Sequence, residues 1–113
     1  MNAGVSFFVT LLLWPMQSHR QVLLFGHEQP AYHSQQALLR GCAGGLTERD
    51  VKVIDARHQS MQYKVDASRF AIILVGKDGG EKFRSYKPVA CDSIFAIIDA
   101  MPMRQAEMRN RKQ

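Results

Sequence analysis

Phe70–Tyr86 reads FAIILVGKDGGEKFRSY, and the order of its parts decides how the rest of the chain folds. Positions 70–75 are apolar without alternation, as in a central strand covered on both faces. Gly76–Gly80 (GKDGG) follows, with an Asp-Gly step and spare glycines that supply the positive φ angles of a tight hairpin. Glu81–Tyr86 then sets Lys82, Arg84 and Tyr86 on one face and Phe83 on the other, the pattern of a charged edge strand that resists unwanted pairing. A buried strand hairpinned to a charged edge is the closing half of a sheet.

Reading toward the C-terminus, Ile94, Phe95, Ile97, Ile98 and Met101 recur at spacings of three and four between Cys91 and Met101. That periodicity predicts a helix whose apolar stripe packs on the sheet, ended or kinked by Pro102. Toward the N-terminus, Val51–Ala56 (VKVIDA) reads as a strand and Gln21–Gly26 (QVLLFG) as a buried one. Between them lies a helix over about Ala31–Cys42, with Tyr32, Leu38 and Leu39 on its apolar face, Pro30 at its start and Gly41, Gly44 and Gly45 at its end. A helix-length crossover makes the two strands parallel. His58–Ser68 is polar and aperiodic, with room for a short helix at most. A βαβ unit followed by ββα is the core order of the thioredoxin-like fold, so the expected class is α/β with a mixed four- to five-stranded sheet flanked by helices.

The composition agrees with one domain: 113 residues, 46% hydrophobic, 22% charged and 4 prolines. The expected domain spans residues 20–103. Ahead of it, residues 1–19 form an apolar leader containing Val5–Trp14 (VSFFVTLLLW), too short to span a bilayer but long enough for a signal-peptide core. It lacks a basic flank and a clean cleavage site, so an extra strand packed on the core is an equal reading. After it, residues 104–113 read as a basic tail, with Arg104, Arg109, Arg111 and Lys112 against Glu107 alone. The formal net charge of +5 is therefore mostly terminal. No aromatic residue interleaves those cations, which argues against nucleic acid as a partner; an anionic surface held by Arg104–Lys112 is a further reading, and the partner, a protein among the candidates, is left open.

A thioredoxin-type site needs a thiol at the N-terminus of the first crossover helix, where the helix dipole stabilises the thiolate. The corresponding stretch, Gly26–His33 (GHEQPAYH), contains no cysteine. Cys91, at the start of the last helix, is expected at the same sheet end as His27, and two readings stand: an activated thiol assisted by His27, or an inert buried one. Cys42 falls twelve residues after Pro30 and is expected at the opposite end, so no Cys42–Cys91 disulfide is expected. His27, Glu28 and His33, with Tyr32 beside them, offer a binding or proton-transfer cluster. Two imidazoles without a third ligand do not make a metal site, and neither metal nor cofactor is expected. Asp99 and Arg104 stand either side of Pro102, spaced for a salt bridge back across the break or for a binding patch with Met101 and Met103.

Leu74–Arg84 (LVGKDGGEKFR) and Phe95–Met108 (FAIIDAMPMRQAEM), with Leu46–Val51 (LTERDV) as a further segment, closely resemble the signature of domain-of-unknown-function family 4174. That domain looks like the thioredoxin-like, peroxiredoxin-related module of animal sushi-repeat-containing and coiled-coil-domain-containing matrix proteins. The resemblance implies the same fold and a periplasmic or secreted location, with cytoplasmic residence as the alternative, but no activity. The chain is shorter than the family pattern between Asp55 and Phe70, and no proline precedes Phe70. The resulting expectation is a redox-inactive binding module of the cell envelope or exterior. Its rival is a thiol oxidoreductase or peroxidase-like enzyme acting through Cys91.

Overall fold

The computed structural model describes residues 16–111; the apolar run Val5–Trp14 lies outside them. Four strands form one mixed sheet in the order β2-β1-β3-β4: β1 Arg20–Phe25, β2 Val51–Asp55, β3 Ala71–Val75 and β4 Glu81–Ser85. The first two are parallel, with Val22 opposite Val53, whereas β3 runs antiparallel to β1, with Val22 opposite Leu74. The remaining pair, β3–β4, is antiparallel and carries an irregularity between Leu74 and Val75, next to the hairpin. In that hairpin Gly79 takes φ +82°, and Asp78 Oδ1 accepts the Gly80 N–H at 2.9 Å. The edge positions are occupied by β2 and β4, as the charged pattern of Glu81–Tyr86 requires for the latter.

Both faces of the central strands are buried, which is why β1 and β3 carry no polar alternation. Val22, Leu24, Ile72 and Leu74 face a core shared with helices α1 (Pro30–Arg40), α2 (Ala43–Glu48) and α3 (Cys91–Asp99). Tyr32 and Leu39 enter it from α1, Leu46 from α2, and Ile94 and Ile98 from α3. Leu23, Phe25, Ala71, Ile73 and Val75 face the other way, onto Ala56, Tyr63 and Val65. The intervening segment holds only a 3-10 turn at Arg57–Gln59 and further turns, so this side of the sheet has no full helix from the described residues.

Gly26 ends β1 with φ +82°, and a Cβ there would stand 2.5 Å from the Arg69 carbonyl oxygen. Gly26→Ala therefore meets both a disfavoured backbone and a fixed main-chain neighbour. Its expected cost is about 1–3 kcal/mol, read as a lowered urea midpoint with unchanged slope.

Two expectations are corrected. Residues 104–111 are not a tail: Pro102 ends α3 and opens a further helix, α4 (Pro102–Arg111), whose Arg104 is buried. More consequentially, Cys42 and Cys91 are joined by a disulfide, with Cα atoms 6.5 Å apart. Cys42 does lie past the end of α1, some twelve residues and about 18 Å beyond Pro30. The misplaced residue is Cys91. After β4, residues 86–90 form no regular element and run back alongside α1 before α3 begins. At about 3.3 Å per residue, five residues cover nearly the same distance as the helix. Gln35, fully buried on α1, clamps this segment: its Nε2 donates to Val89 O at 2.9 Å and its Oε1 accepts Val89 N–H at 2.7 Å. Two residues later Cys91 Sγ sits 3.2 Å from Leu38 O, against the last turn of α1.

Candidate functional site

The C-terminal ends of β1 and β2 and the first turn of α1 bring the N-terminal site residues to one rim. His27 and Glu28 follow Gly26, and their side chains approach to 3.8 Å, the histidine 41% and the glutamate 85% exposed. This is a solvated pair with little electrostatic leverage. Gln29 bridges outward, its Nε2 donating to Ser68 O at 2.9 Å, and a small recess of about 80 Å³ opens between His27, Glu28 and Ser68. His33 stacks edge-on against Tyr32, with ring centroids 5.7 Å apart. Tyr32 itself is buried in the core, so of the four only its ring is structural.

Sequence reading did not connect Asp55 and Arg57 with this rim. Asp55 ends β2, and Arg57 folds back over it two residues later, donating from Nη2 at 2.5 Å and Nε at 3.1 Å. The hydrogen bonds from the Arg57 side chain, helped by its backbone N–H, outweigh burial and lower the Asp55 pKa to about 2. Burial, reinforced by the negative charge of Asp55, pushes the Tyr32 phenol up. Both effects keep Asp55, Arg57 and Tyr32 in one protonation state across the neutral range: a carboxylate locked to a guanidinium beside a neutral phenol. These three groups can orient and hydrogen-bond a polar group, but none of the three is a base poised near neutrality. Following the Asp55 carboxyl by NMR checks this. Its midpoint is expected near pH 2, returning to the ordinary carboxylate range, about 3.9, in Arg57→Ala. Because the folded pKa is depressed, the pair's contribution to stability is full above about pH 4 and lost as pH falls toward 2.

Cys91 is not part of this rim. Its sulfur is bonded to Cys42 beside the last turn of α1, whereas His27 precedes the first turn, about 15 Å away along the helix. The structure does not bring these two candidate catalytic residues together.

Asp99 and Arg104 meet at the other end of the sheet. Arg104 Nε donates to Asp99 Oδ1 at 3.2 Å, and Arg49 reaches the same carboxylate with two bonds of 2.9 Å while stacking over Phe95 at 4.0 Å. The pair is one corner of a larger network. Arg20, only 1% exposed, donates to both oxygens of Glu107 at 3.2 and 3.3 Å. Lys77, from the hairpin, donates to Glu107 at 2.8 Å and to Asp50 at 3.0 Å. Asp50 reaches that position because the turn from α2 into β2 puts it at φ +55°, in the left-handed region that aspartate tolerates. Burial works against charge at Lys77 and Glu107. The hydrogen bonds prevail at each, leaving the lysine pKa raised and the glutamate pKa lowered. At Asp99 the hydrogen bonds from Arg49 act first and lower its pKa despite burial. These residues tie β1, α2, the hairpin, α3 and α4 together. The spacing of Asp99 and Arg104 announced one contact; nothing local in the sequence announced Arg20 or Glu107, which lie 87 positions apart.

Among the described residues no helix is long and apolar enough to cross a membrane, and no group of three or more His, Cys, Asp or Glu side chains is placed to hold a metal ion. The family model described as Domain of unknown function (DUF4174) matches residues 55–107, from the end of β2 into α4. It contains all of the Leu74–Arg84 segment and Phe95–Glu107, while Leu46–Val51 lies outside it. No curated protein and no solved structure matches the chain.

Proposed function

We propose, for a chain that belongs to the DUF4174 family through residues 55–107, a redox-inert, disulfide-stapled binding domain that works in an oxidising compartment, the periplasm or the cell exterior. One observation carries this reading: both sulfurs are joined to each other, beside the end of α1 remote from the first turn where a thioredoxin-type thiol would stand. A thiol activated by a helix N-terminus must be free to attack, and a cysteine held in a bond of this kind is not. Disulfides persist outside the reducing cytosol, which supports export of the domain and gives the apolar leader a purpose as a signal. The rim of His27, Glu28, Asp55 and Arg57, backed by the buried Tyr32, then serves as a polar contact surface.

Thiol counting on protein recovered from its native compartment tests the proposal. No reactive thiol is expected in denaturant before reduction and two after it. The domain should also fail to accelerate disulfide reduction or peroxide consumption. Free thiols at Cys42 and Cys91 in the native sample, or turnover that Cys91→Ser abolishes, would overturn it.

A further inference from the structure

The two edges of the sheet are guarded differently. On β4, Glu81, Lys82 and Arg84 are held in ion pairs, a charged border that turns away an incoming strand. On β2 only Lys52 and Asp55 carry charge, and Asp55 is committed to Arg57. The Arg20 N–H donates to Asp50 O and the Ala56 N–H to Leu24 O, so by the two-residue repeat of a parallel ladder Asp50, Lys52, Ile54 and Ala56 pair with β1. Val51, Val53 and Asp55 therefore turn their N–H and C=O groups outward. Among the described residues no backbone hydrogen bond beyond the ladder takes up those of Val53.

Beside that edge lies a recess of about 290 Å³, lined by Leu39 and Arg40 of α1, Leu46 of α2, and Val51 and Val53. Leu39 and Leu46 are buried while Val53 is 42% exposed, so apolar surface runs from the core out to the strand edge. The residues with outward backbone groups are also those whose side chains face the recess. A chain paired with β2 thus lays every second side chain beside the recess and the others beside Lys52, on the opposite face. Arg40 and Lys52 are both exposed, and among the described residues neither has a salt bridge.

We propose that β2 accepts an extended acidic peptide as a further, antiparallel strand of the sheet. One apolar side chain of the peptide lies opposite Val53 in the recess, and its flanking carboxylates reach Arg40 on one face and Lys52 on the other. Main-chain hydrogen bonds to Val53 supply affinity, while the recess and the two cations supply selection. A second copy of this chain fits less well, since two β2 strands paired antiparallel about Val53 set their Lys52 side chains diagonally across one face. The contact is centred on Val53 and not on the rim, and so goes beyond the reading above.

The probe is an acetylated, amidated peptide with a central leucine, two glutamates on either side and a threonine at each end. It is titrated into the disulfide-bonded protein and followed by NMR of the backbone amides. Saturable shifts along Val51–Asp55 and around Leu39 and Leu46 are expected, with exchange of the Val53 amide slowed at least about tenfold at saturation. Lysine in place of the glutamates, serine in place of the leucine, and N-methylation of the leucine, which removes the main-chain donor facing Val53, should each weaken binding at least about tenfold. Val53→Pro suits an edge strand but lacks the outward N–H, and should abolish binding. Lys52→Glu and Arg40→Gln, at exposed positions, should each weaken binding about fivefold and leave thermal unfolding nearly unchanged. Equal binding of the lysine peptide, indifference to N-methylation, shifts centred on β4 or on the rim, or indifference to both charge substitutions overturns the proposal. So does a Val53 amide already protected in the peptide-free protein, whether by a second copy, seen as a dimer in sedimentation, or by another segment of the chain.

Discussion

Replacing Cys42 and Cys91 together by serine is expected to lower the unfolding free energy by about 2–4 kcal/mol. The bond closes a loop with a sequence separation of 49, for which loss of denatured-chain entropy sets a ceiling of about 4 kcal/mol. In a domain of this size each kcal/mol moves the thermal midpoint by about 4–8 °C, so the loss is large against a typical total of 5–15 kcal/mol. Scanning calorimetry of the double variant, and of wild type with and without reductant, measures it. The two treatments should agree, because both open the same loop. The Gln35 clamp makes a further distinction possible. If Val89 stays paired to Gln35 after reduction, α3 keeps its place on the sheet and the fold survives at lower stability. A midpoint that does not move on reduction would show that the bond constrains nothing the rest of the structure does not already hold.

Glu107→Gln is the second large effect, expected at about 3 kcal/mol. It leaves the guanidinium of Arg20, 1% exposed, and the ammonium of Lys77, 11% exposed, without their shared carboxylate. Breaking a buried pair by removing one partner costs about 3–5 kcal/mol because the other charge stays desolvated. The lower end applies here, since Glu107 is itself 23% exposed and water can compensate in part. Replacing Arg20 by Met and Glu107 by Leu together should recover much of the loss, for the most buried charge goes with its partner while Lys77 keeps Asp50 and Arg104 keeps Asp99. The network also sets the acid limb of stability. Glu107 and Asp99 have folded pKa values below their ordinary ones. Their contribution is therefore present above about pH 4.3 and 3.9 respectively, and is lost as pH falls through the lower folded values. In Glu107→Gln the acid limb should be shallower than in wild type, as measured by urea midpoints between pH 2 and 6. An unchanged limb would show that Glu107 does not report on folding.

The fold was readable because its information is local. Phe70–Val75 is apolar at each position and is a central strand, GKDGG is a hairpin, and the three-and-four spacing from Ile94 to Ile98 is a helix on the core. The candidate site was less legible. His27, Glu28, Tyr32 and His33 are neighbours in sequence and stay neighbours in space, but the residues that set the electrostatics of their rim, Asp55 and Arg57, arrive from another strand. The segment after Pro102 looked like a charged tail because its helical face is polar; Arg104 is buried there by ion pairs, which hydrophobic periodicity cannot register.

Taken alone, the amino-acid order determined the four strands, the helices α1 and α3, how these are connected, and that no cysteine stands at the first turn of α1, but not the helices α2 and α4. Burial periodicity, turn chemistry and composition act over a few residues and so are written in the chain directly. The tertiary structure decided where Cys91 comes to lie and which charges share a buried network. Both depend on the path of residues 86–90, pinned to α1 by a single glutamine, and on contacts between side chains up to 87 positions apart. Distances of that kind arise only when separate elements pack, because no local rule sets the separation of groups on different elements.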